Sequence, residues 1–399
     1  TSSSGRMCSS SGGLLPPQSQ PAEPPRPRRV NVSGMGQGAY RQLYLQAAEA
    51  SGESVITEDA ADTGCDLYLI VPVDREALHR RLQRLRAGSR VNHFPGMIDV
   101  CEKVSFARAM RQCLALCPRL AAYLPATWIL PEEMGAVVQM LCEPGFRSFI
   151  VKPEYGLQGH GIFLIRTMAD LQVALHARGL SVGEGGPRYV CQDYVEKPLL
   201  VDGFKFDFRI YVVLTSLAPL EAHLCREGLA RFCTTRYAAP SATNISKVTG
   251  HLTNYALNSR SESFARTQDG ASEESASKRL LTKTLQQVVQ QSGGRFSEVR
   301  FWEQVEEITS LVLTALVPVL AYTTSQYFPV NEAEPSRCYH LLGLDVLLDG
   351  DYWPWLLEVN SSPAMDIETA VPVPQAAPPK KMARESSKSS TSGAAPEAS

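Results

Sequence analysis

The chain has 399 residues, with 39 Lys+Arg against 41 Asp+Glu, a formal net charge of −2 and 44% hydrophobic residues. A chain of that size and apolarity can bury a large core, which excludes a wholly disordered protein and predicts two to three domains at roughly 150 residues each. Balanced charge excludes a fold-wide basic field, so no nucleic-acid partner is expected and attraction to any charged partner must be local.

Residues 1–33 are runs of Ser, Pro and Gly, and residues 371–399 repeat that character. Neither end carries enough apolar surface to offset its ordering entropy, so both read as disordered tails around a folded part of about 40–370. No apolar leader follows a basic start and no lipidation box closes the chain. The longest apolar stretch, LVLTALVPVLAY at 311–322, contains Pro318 and falls short of the roughly 20 residues a membrane span needs. A soluble, intracellular chain without a membrane span is expected. Ten cysteines show no Cys-x-x-Cys pair and seven histidines no His-x-x-x-His spacing. Structural zinc is therefore not expected, and any metal should take oxygen ligands.

In chain order, CDLYLIVPV at 65–73 reads as a buried strand. Residues 75–86 read as a basic amphipathic helix with Leu78, Leu82 and Leu85 on one face, and a second helix is expected from about Val104 to Cys117. Between Arg75 and Arg119 stand ten Lys/Arg against three Asp/Glu, a net of +7. Such a stretch is either a solvated helix face or a surface for an acidic partner. From residue 148 the pattern turns to strands: SFIVKPEYG and HGIFLI as an antiparallel pair around a loop, then RYVCQDYV, FDFRIYVVLTSL and EAHLCREGLARFCT. Residues 259–279 have the composition of a mobile loop. Helices are expected at about 280–291 and 299–327, and HLLGLDVLLDGDYWPWLLEVN closes the fold as a strand pair.

Two glycine-rich segments invite a phosphate reading. Gly34-Met-Gly36-Gln-Gly38 has no evident strand before it and its third glycine falls one position early, so it reads as a hinge rather than a dinucleotide loop. In IVKPEYGLQGHGI, by contrast, Lys152 ends a strand, Gly156, Gly159 and Gly161 follow, and a second strand begins. That layout lets backbone N–H groups approach polyphosphate oxygens beside a point charge; a plain hairpin with a surface lysine is the alternative. Far downstream, Glu358 and Asn360 are two apart on a strand and share a face. With Asp345 on the neighbouring strand they form a candidate oxygen-ligand set for Mg²⁺.

VKPEYGLQGHGI, CQDYVEKPLLVDGFKFDFRIYV, EGLARFCT, HLTNYALN and LLGLDVLL…WLLEVNSSP, in that order, together with VNHFPGM at 91–97 and WILPEE at 128–133, resemble the tubulin tyrosine ligase-like family of the ATP-grasp superfamily. The resemblance covers about residues 91–365. Asn360-Ser-Ser-Pro-Ala-Met and KPLLVDGFKFDFR are more similar to the glutamylases than to the tyrosine ligase or the glycylases.

The resemblance implies an α/β (α+β) ATP-grasp fold, mainly antiparallel sheets flanked by helices. It divides the chain into an N-terminal domain at 34–90, a central domain at 91–200 and a C-terminal catalytic domain at 201–370. ATP and Mg²⁺ are the implied cofactors. Lys152 would contact ATP phosphates under a flap carrying Gln158 and Gly159. Gln192, Asp193, Tyr194 and Val195 would receive the adenine, and Lys205, Phe206 and Asp207 would hold ribose and phosphate. Arg209 and Arg231 match arginines on the γ-phosphate and the bound amino acid. Thr253, Asn254 and Tyr255 would line the ATP and amino-acid pocket, Lys278 would meet the incoming L-glutamate, and Asp345, Glu358 and Asn360 would bind Mg²⁺.

The implied activity is ATP-dependent ligation of glutamate onto glutamate side chains of acidic tubulin tails. It would act in the cytoplasm at the cytoskeleton, including cilium or basal body. A Pro/Ala/Lys/Ser tail replaces the acidic helix that family members carry after this turn, and the basic module of longer glutamylases is not seen. A catalytically silent microtubule-binding scaffold, a glycylase and a ligase for another acidic protein therefore remain open.

Overall fold

The computed structural model describes residues 27–35, 39–57, 64–71, 75–143, 147–156, 159–177, 186–265 and 276–365. Residues 1–26 and 371–399 of the segments read as tails, Gln158, and residues 266–275 of the loop between 259 and 279 lie outside the described residues.

The first sheet is built from β1 (Arg29–Gly34), β2 (Ser54–Ile56), β3 (Leu67–Ile70) and β4 (Arg90–Val91), in the order β2-β1-β3-β4. All its pairings are parallel, unlike the rest of the molecule. Helix α1 (Ala39–Ala50) joins β1 to β2, and α2 (Arg75–Arg84) joins β3 to β4, the crossovers that parallel neighbours require. This corrects two expectations. Strand β1 begins inside the span read as a disordered arm, and it does precede Gly34-Met-Gly36-Gln-Gly38, with α1 after it. The strand is six residues of alternating valine, RVNVSG, and Pro-rich neighbours conceal it; Gly36 to Gly38 lie outside the described residues.

Helices α3 (Met97–Cys101) and α4 (Lys103–Leu116) lead to a second, antiparallel sheet. It contains β5 (Thr127–Leu130), β6 (Phe149–Pro153), β7 (Phe163–Ile165) and β8 (Tyr189–Asp193), in the order β5-β8-β6-β7. Helices α5 (Met134–Cys142) and α6 (Met168–Ala177) flank it. Phe149, Val151, Ile165, Leu171 and Tyr189 form its own buried cluster.

The third sheet carries β9 (Leu200–Val201) beside β10 (Phe204–Leu217), and the order β12-β11-β10-β13-β14. Its other strands are β11 (Leu220–Phe232), β12 (Lys278–Leu280), β13 (His340–Leu348) and β14 (Pro354–Asn360), with α7 (Tyr255–Asn258) between β11 and β12. Its back is covered by α8 (Leu281–Ser292) and α9 (Glu298–Ser325). Helix α9 starts at Ser297, whose side chain accepts from the Arg300 N–H. It is long and apolar enough to cross a membrane by length and composition. Its Phe301, Val305, Ile308, Val312, Leu316 and Leu320 are instead buried in the main core with Phe208, Ile210 and Leu344. Leu78, Leu82 and Leu85 of the basic segment join that same core, as their spacing predicts.

The +7 stretch is partly neutralised by three acids from outside it, Glu132, Glu133 and Glu307. Arg75 pairs with Asp99 and Glu102, Arg80 with Glu76, Arg108 with Glu132, Arg111 with Glu133 and Arg119 with Glu307. The exposed Arg84, Arg86 and Arg90 make no ion pair among the described residues.

Candidate active site

The open face of the third sheet is crossed by one row of charged side chains. Strand registry puts Lys278 opposite Arg231 and Arg231 opposite Asp207. Two residues along β10, Arg209 lies opposite Asp345, which lies opposite Glu358. Lys205, Asp207 and Arg209 share this face because side chains alternate along a strand. By the same pleat Phe206 lies on the other face, stacked on Phe232 at 5.1 Å between centroids and buried in the core. It is thus a core residue and does not line the pocket.

The row is a fused ion-pair network. Arg231 donates from Nε and Nη2 to the two Asp207 oxygens at 2.7 and 2.6 Å and reaches Asp345 Oδ2 at 2.7 Å. Arg209 forks onto the same Asp345 carboxylate, its Nη2 donating to Oδ2 at 3.0 Å. The Thr253 hydroxyl donates to Asp207 Oδ2 at 2.6 Å. Burial alone would raise the Asp345 pKa, yet the two guanidinium groups hold its carboxyl well below the usual range. Gly343 makes room for this arrangement: a Cβ there would stand 2.6 Å from both Arg209 Cδ and Pro363 Cβ.

Opposite the row stands the second sheet. Lys152, on β6, is buried and donates to Gln192 Oε1 on β8 at 2.9 Å, while Gln192 Nε2 donates to Thr127 Oγ1 at 3.1 Å. Burial lowers the Lys152 pKa, with Lys103 acting in the same direction against the pull of Glu358, Asp345 and Asp207. Lys205 is also buried. Its Nζ donates to the Tyr194 hydroxyl at 2.9 Å, and desolvation brings its pKa down to about 8. Tyr194 contacts His251 Nδ1 at 3.3 Å, while His251 Nε2 lies 3.2 Å from the Asn244 carbonyl.

Lys152, Gln192, Asp193, Tyr194, Val195, Lys205, Asp207, Arg231, Thr253, Asn254, Asp345 and Glu358 therefore line one cleft, which Ile150, Ile162, Leu347 and Leu357 make apolar in part. Gly159, at a φ of 82°, packs on α7, where a Cβ would meet Leu257 Cδ1 at 2.7 Å. Beside the cleft opens a cavity of about 750 Å³ that shares Lys152, Gln192, Asn254 and Glu358 with it and also reaches Asn360, Lys103 and the apolar side of α4.

Lys278 differs from expectation. It lies on β12, not in a loop, with its Nζ 4.9 Å over the Tyr255 ring. Among the residues that went unrecognised are His251 and Leu347, which line the cleft, and Lys103, whose Nζ donates to the Gly156 carbonyl at 2.9 Å. His251 heads the HLTNYALN motif, the one signal that points to it.

The described residues contain no group of three or more His, Cys, Asp or Glu side chains fit to cage a metal. Asp345, Glu358 and Asn360 instead offer a small hard-oxygen set. Asn360 donates its amide N–H to the Gly343 carbonyl, which leaves the amide oxygen as an acceptor. Mg²⁺ commonly takes one or two carboxylates and completes its shell with phosphate oxygens and water, so this donor set fits it. The Asp345 oxygens are shared with Arg209 and Arg231, leaving Glu358 and Asn360 as the freer donors.

Antiparallel sheets enclosing a cleft of lysines, arginines and carboxylates, with a glycine-rich turn at its rim, constitute an ATP-grasp-like architecture. A model of the tubulin-tyrosine ligase family matches residues 81–378, and the chain belongs to that family. Tubulin polyglutamylase ttll6 of Danio rerio is 37% identical over 289 residues, covering 72% of this chain and 34% of the relative. Tubulin polyglutamylase TTLL13 of Homo sapiens is 37% identical over 292 residues, or 73% and 33%, and TTLL11 of Homo sapiens 38% over 287 residues, or 70% and 38%. The chain thus spans about a third of the length of these relatives.

Proposed function

We propose that the chain is an ATP-dependent ligase that joins free L-glutamate to glutamate side chains of tubulin C-terminal tails. The observation that carries this reading is the convergence of Lys152, Lys205, Asp207, Arg231, Asp345 and Glu358 on one cleft, in a chain whose relatives are named tubulin polyglutamylases.

Gln192, Asp193, Tyr194 and Val195 would receive the adenine, with Ile150 and Leu347 lining the same cleft. Lys152 and Lys205 bind the phosphates. Glu358 and Asn360, with Asp345, would hold Mg²⁺, which would supply neutralisation of phosphate charge. An acceptor carboxylate oxygen attacks the γ-phosphorus, its bond to the bridging oxygen breaks, and ADP leaves with that electron pair. The amine nitrogen of free glutamate then attacks the acyl carbon of the resulting acyl phosphate. The carbon–oxygen bond breaks, phosphate departs and the nitrogen gives up a proton, leaving an isopeptide bond.

This chemistry asks the protein for position and charge rather than a nucleophile. Arg231 and Arg209, prealigned by Asp207 and Asp345, face the γ-phosphate and the glutamate carboxylates, and a guanidinium fork suits both. Lys278 and Tyr255 stand at the amino-acid end. A tubulin acceptor puts the chain at microtubules in the cytoplasm.

The test is incubation with ATP, Mg²⁺, tubulin and isotope-labelled glutamate or glycine, followed by mass spectrometry of the tails. Labelled glutamate should appear only with ATP, and Glu358→Gln should abolish it. Incorporation that survives Glu358→Gln, or a wild-type chain that binds microtubules without incorporating either amino acid, would reject the proposal.

A further inference from the structure

The motif VNHFPG and a buried histidine pair stand outside the scheme above. Asn92 accepts at its Oδ1 from the Ile70 N–H at 2.9 Å and donates to the Ile70 carbonyl, fixing the motif to the first sheet. Gly96, at a φ of 83°, lies against Thr323 of α9, and the Thr323 hydroxyl donates to the Pro95 carbonyl at 2.7 Å. Between these anchors His93 packs edge-on against His340, 4.8 Å between ring centroids.

The hydrogen bonds assign the state of His340. The Phe94 N–H donates to Nδ1 at 3.2 Å, so that nitrogen is unprotonated, and Nε2 donates to the Ser361 carbonyl at 2.7 Å. Burial, reinforced by the neighbouring His93, pushes the His340 pKa down to about 3, so the ring is neutral at any physiological pH. Ser361 directly follows Asn360, and the turn there has two further ties. Asn360 Nδ2 donates to the Gly343 carbonyl at 3.4 Å, and the Tyr211 hydroxyl donates to the Ala364 carbonyl at 2.7 Å. Strands β10 and β13 thus template the turn: the Gly343 carbonyl holds the Asn360 amide directly, and His340 holds the residue that follows it.

We propose that His340 is a positioning residue for the metal: it carries the rigidity of the VNHFPG junction into the Asn360 turn and so holds the Asn360 amide oxygen for Mg²⁺. This rests on the reading of Asn360 as a metal donor. Groups behind a metal ligand are worth about 10- to 100-fold in metal affinity, and a leucine at 340 offers neither the acceptor for Phe94 nor the donor for Ser361. A glutamine offers both, because one amide carries an oxygen and an N–H.

The experiment titrates a fluorescent ATP analogue onto the full chain, with and without Mg²⁺, for wild type, His340→Leu, His340→Gln and Tyr211→Phe. His340→Leu should need about 10- to 100-fold more Mg²⁺ for the same gain in nucleotide affinity, with metal-free affinity unchanged, and His340→Gln should restore the wild-type requirement. An unchanged Mg²⁺ requirement in His340→Leu, an equal loss with and without metal, or no rescue by glutamine overturns the proposal. Should His340→Leu fail to fold, Tyr211→Phe removes one hydroxyl and no bulk. It should shift the Mg²⁺ requirement in the same direction by less, and no shift overturns the proposal. A wild-type chain that binds nucleotide without any Mg²⁺ effect overturns the metal reading of Asn360 as well, which separates the two failures.

Discussion

Replacing Lys205 with Met should stabilise the protein at neutral pH. The ammonium is buried, and desolvation brings its pKa from 10.5 to about 8, with Lys152 adding to the fall and Asp207 opposing it. Each tenfold in that proton equilibrium is about 1.4 kcal/mol, so keeping Lys205 charged at pH 7 costs the fold about 3 kcal/mol. The sign follows from proton counts. Between pH 8 and 10.5 the unfolded chain holds the proton that the folded chain has lost, so stability rises with pH there. Below 8 both states are protonated and the penalty is complete; above 10.5 it is gone. Methionine fills a similar volume and removes the charge, forfeiting one hydrogen bond to Tyr194 worth about 1 kcal/mol. Tyr194 keeps His251 as a partner. The net expectation is a gain of about 2 kcal/mol at pH 7 that shrinks toward pH 10, read from urea midpoints of both proteins at a series of pH values. A Lys205→Met protein that is less stable at pH 7, or a difference that does not change with pH, would refute the argument. Nucleotide binding should suffer in the same variant, since a cation that is expensive to bury is kept where an anion arrives to compensate it.

Asp345→Asn removes the carboxylate shared by Arg209 and Arg231 and should destabilise the fold by about 3–5 kcal/mol; a loss under about 1 kcal/mol would show that the arginines re-pair at little cost. Because the folded Asp345 carboxyl is held below its ordinary value, its contribution should be present at neutral pH and fade as acid protonates it, so wild type and variant should converge in acid unfolding curves. Gly343→Ala forces a Cβ against Arg209 and Pro363 and should cost about 1–3 kcal/mol while lowering glutamate incorporation; wild-type activity would mean that Arg209 can leave its channel freely. Reversing the charge of Arg84, Arg86 and Arg90 together should raise the apparent KM for microtubules at low salt and leave it unaltered at high salt. The same KM at both ionic strengths would remove the basic segment from tail recognition.

How much of this was legible in the sequence depended on strand length and on pleat. The hairpin of β10 and β11 and the pair β13 and β14 were readable because they are 14, 13, 9 and 7 residues long and carry sustained apolar patterning. Strand β2 has three residues and β12 three, too few for a period, and each is a strand only because a distant neighbour pairs with it. That is why Lys278 reads as a loop residue until Arg231 is placed opposite. Phe206 was decidable in advance: if Lys205 and Asp207 face the cleft, the residue between them cannot. The carboxylate partners of the two arginines were not decidable, since Asp207 and Arg231 are 24 residues apart and Arg209 and Asp345 are 136 apart, and only register across three strands brings them into one network. The ion pairs of Arg108, Arg111 and Arg119 evade a sliding charge count for the same reason.

That network also explains how a site full of charge stays folded. Asp193, at the cleft, is taken up by Arg147; Lys152, Lys205, Arg209, Arg231 and Lys278 face the remaining Asp207, Asp345 and Glu358, so cations exceed these carboxylates by two on the cleft and the sheet row beside it. The carboxylates are spent on the guanidinium groups, which cannot shed their charge. The uncompensated excess falls on Lys152 and Lys205, the two groups able to answer burial by giving up a proton, and both have lowered pKa values. A polyphosphate entering the cleft meets those two lysines without displacing any ion pair, and by restoring their protons it takes up protons from solvent at alkaline pH. Nucleotide affinity should therefore fall as pH rises through about 8, and calorimetric binding enthalpies at pH 8 should vary with the ionisation enthalpy of the buffer; enthalpies that are equal in two dissimilar buffers would mean that the lysines are already charged before the nucleotide arrives.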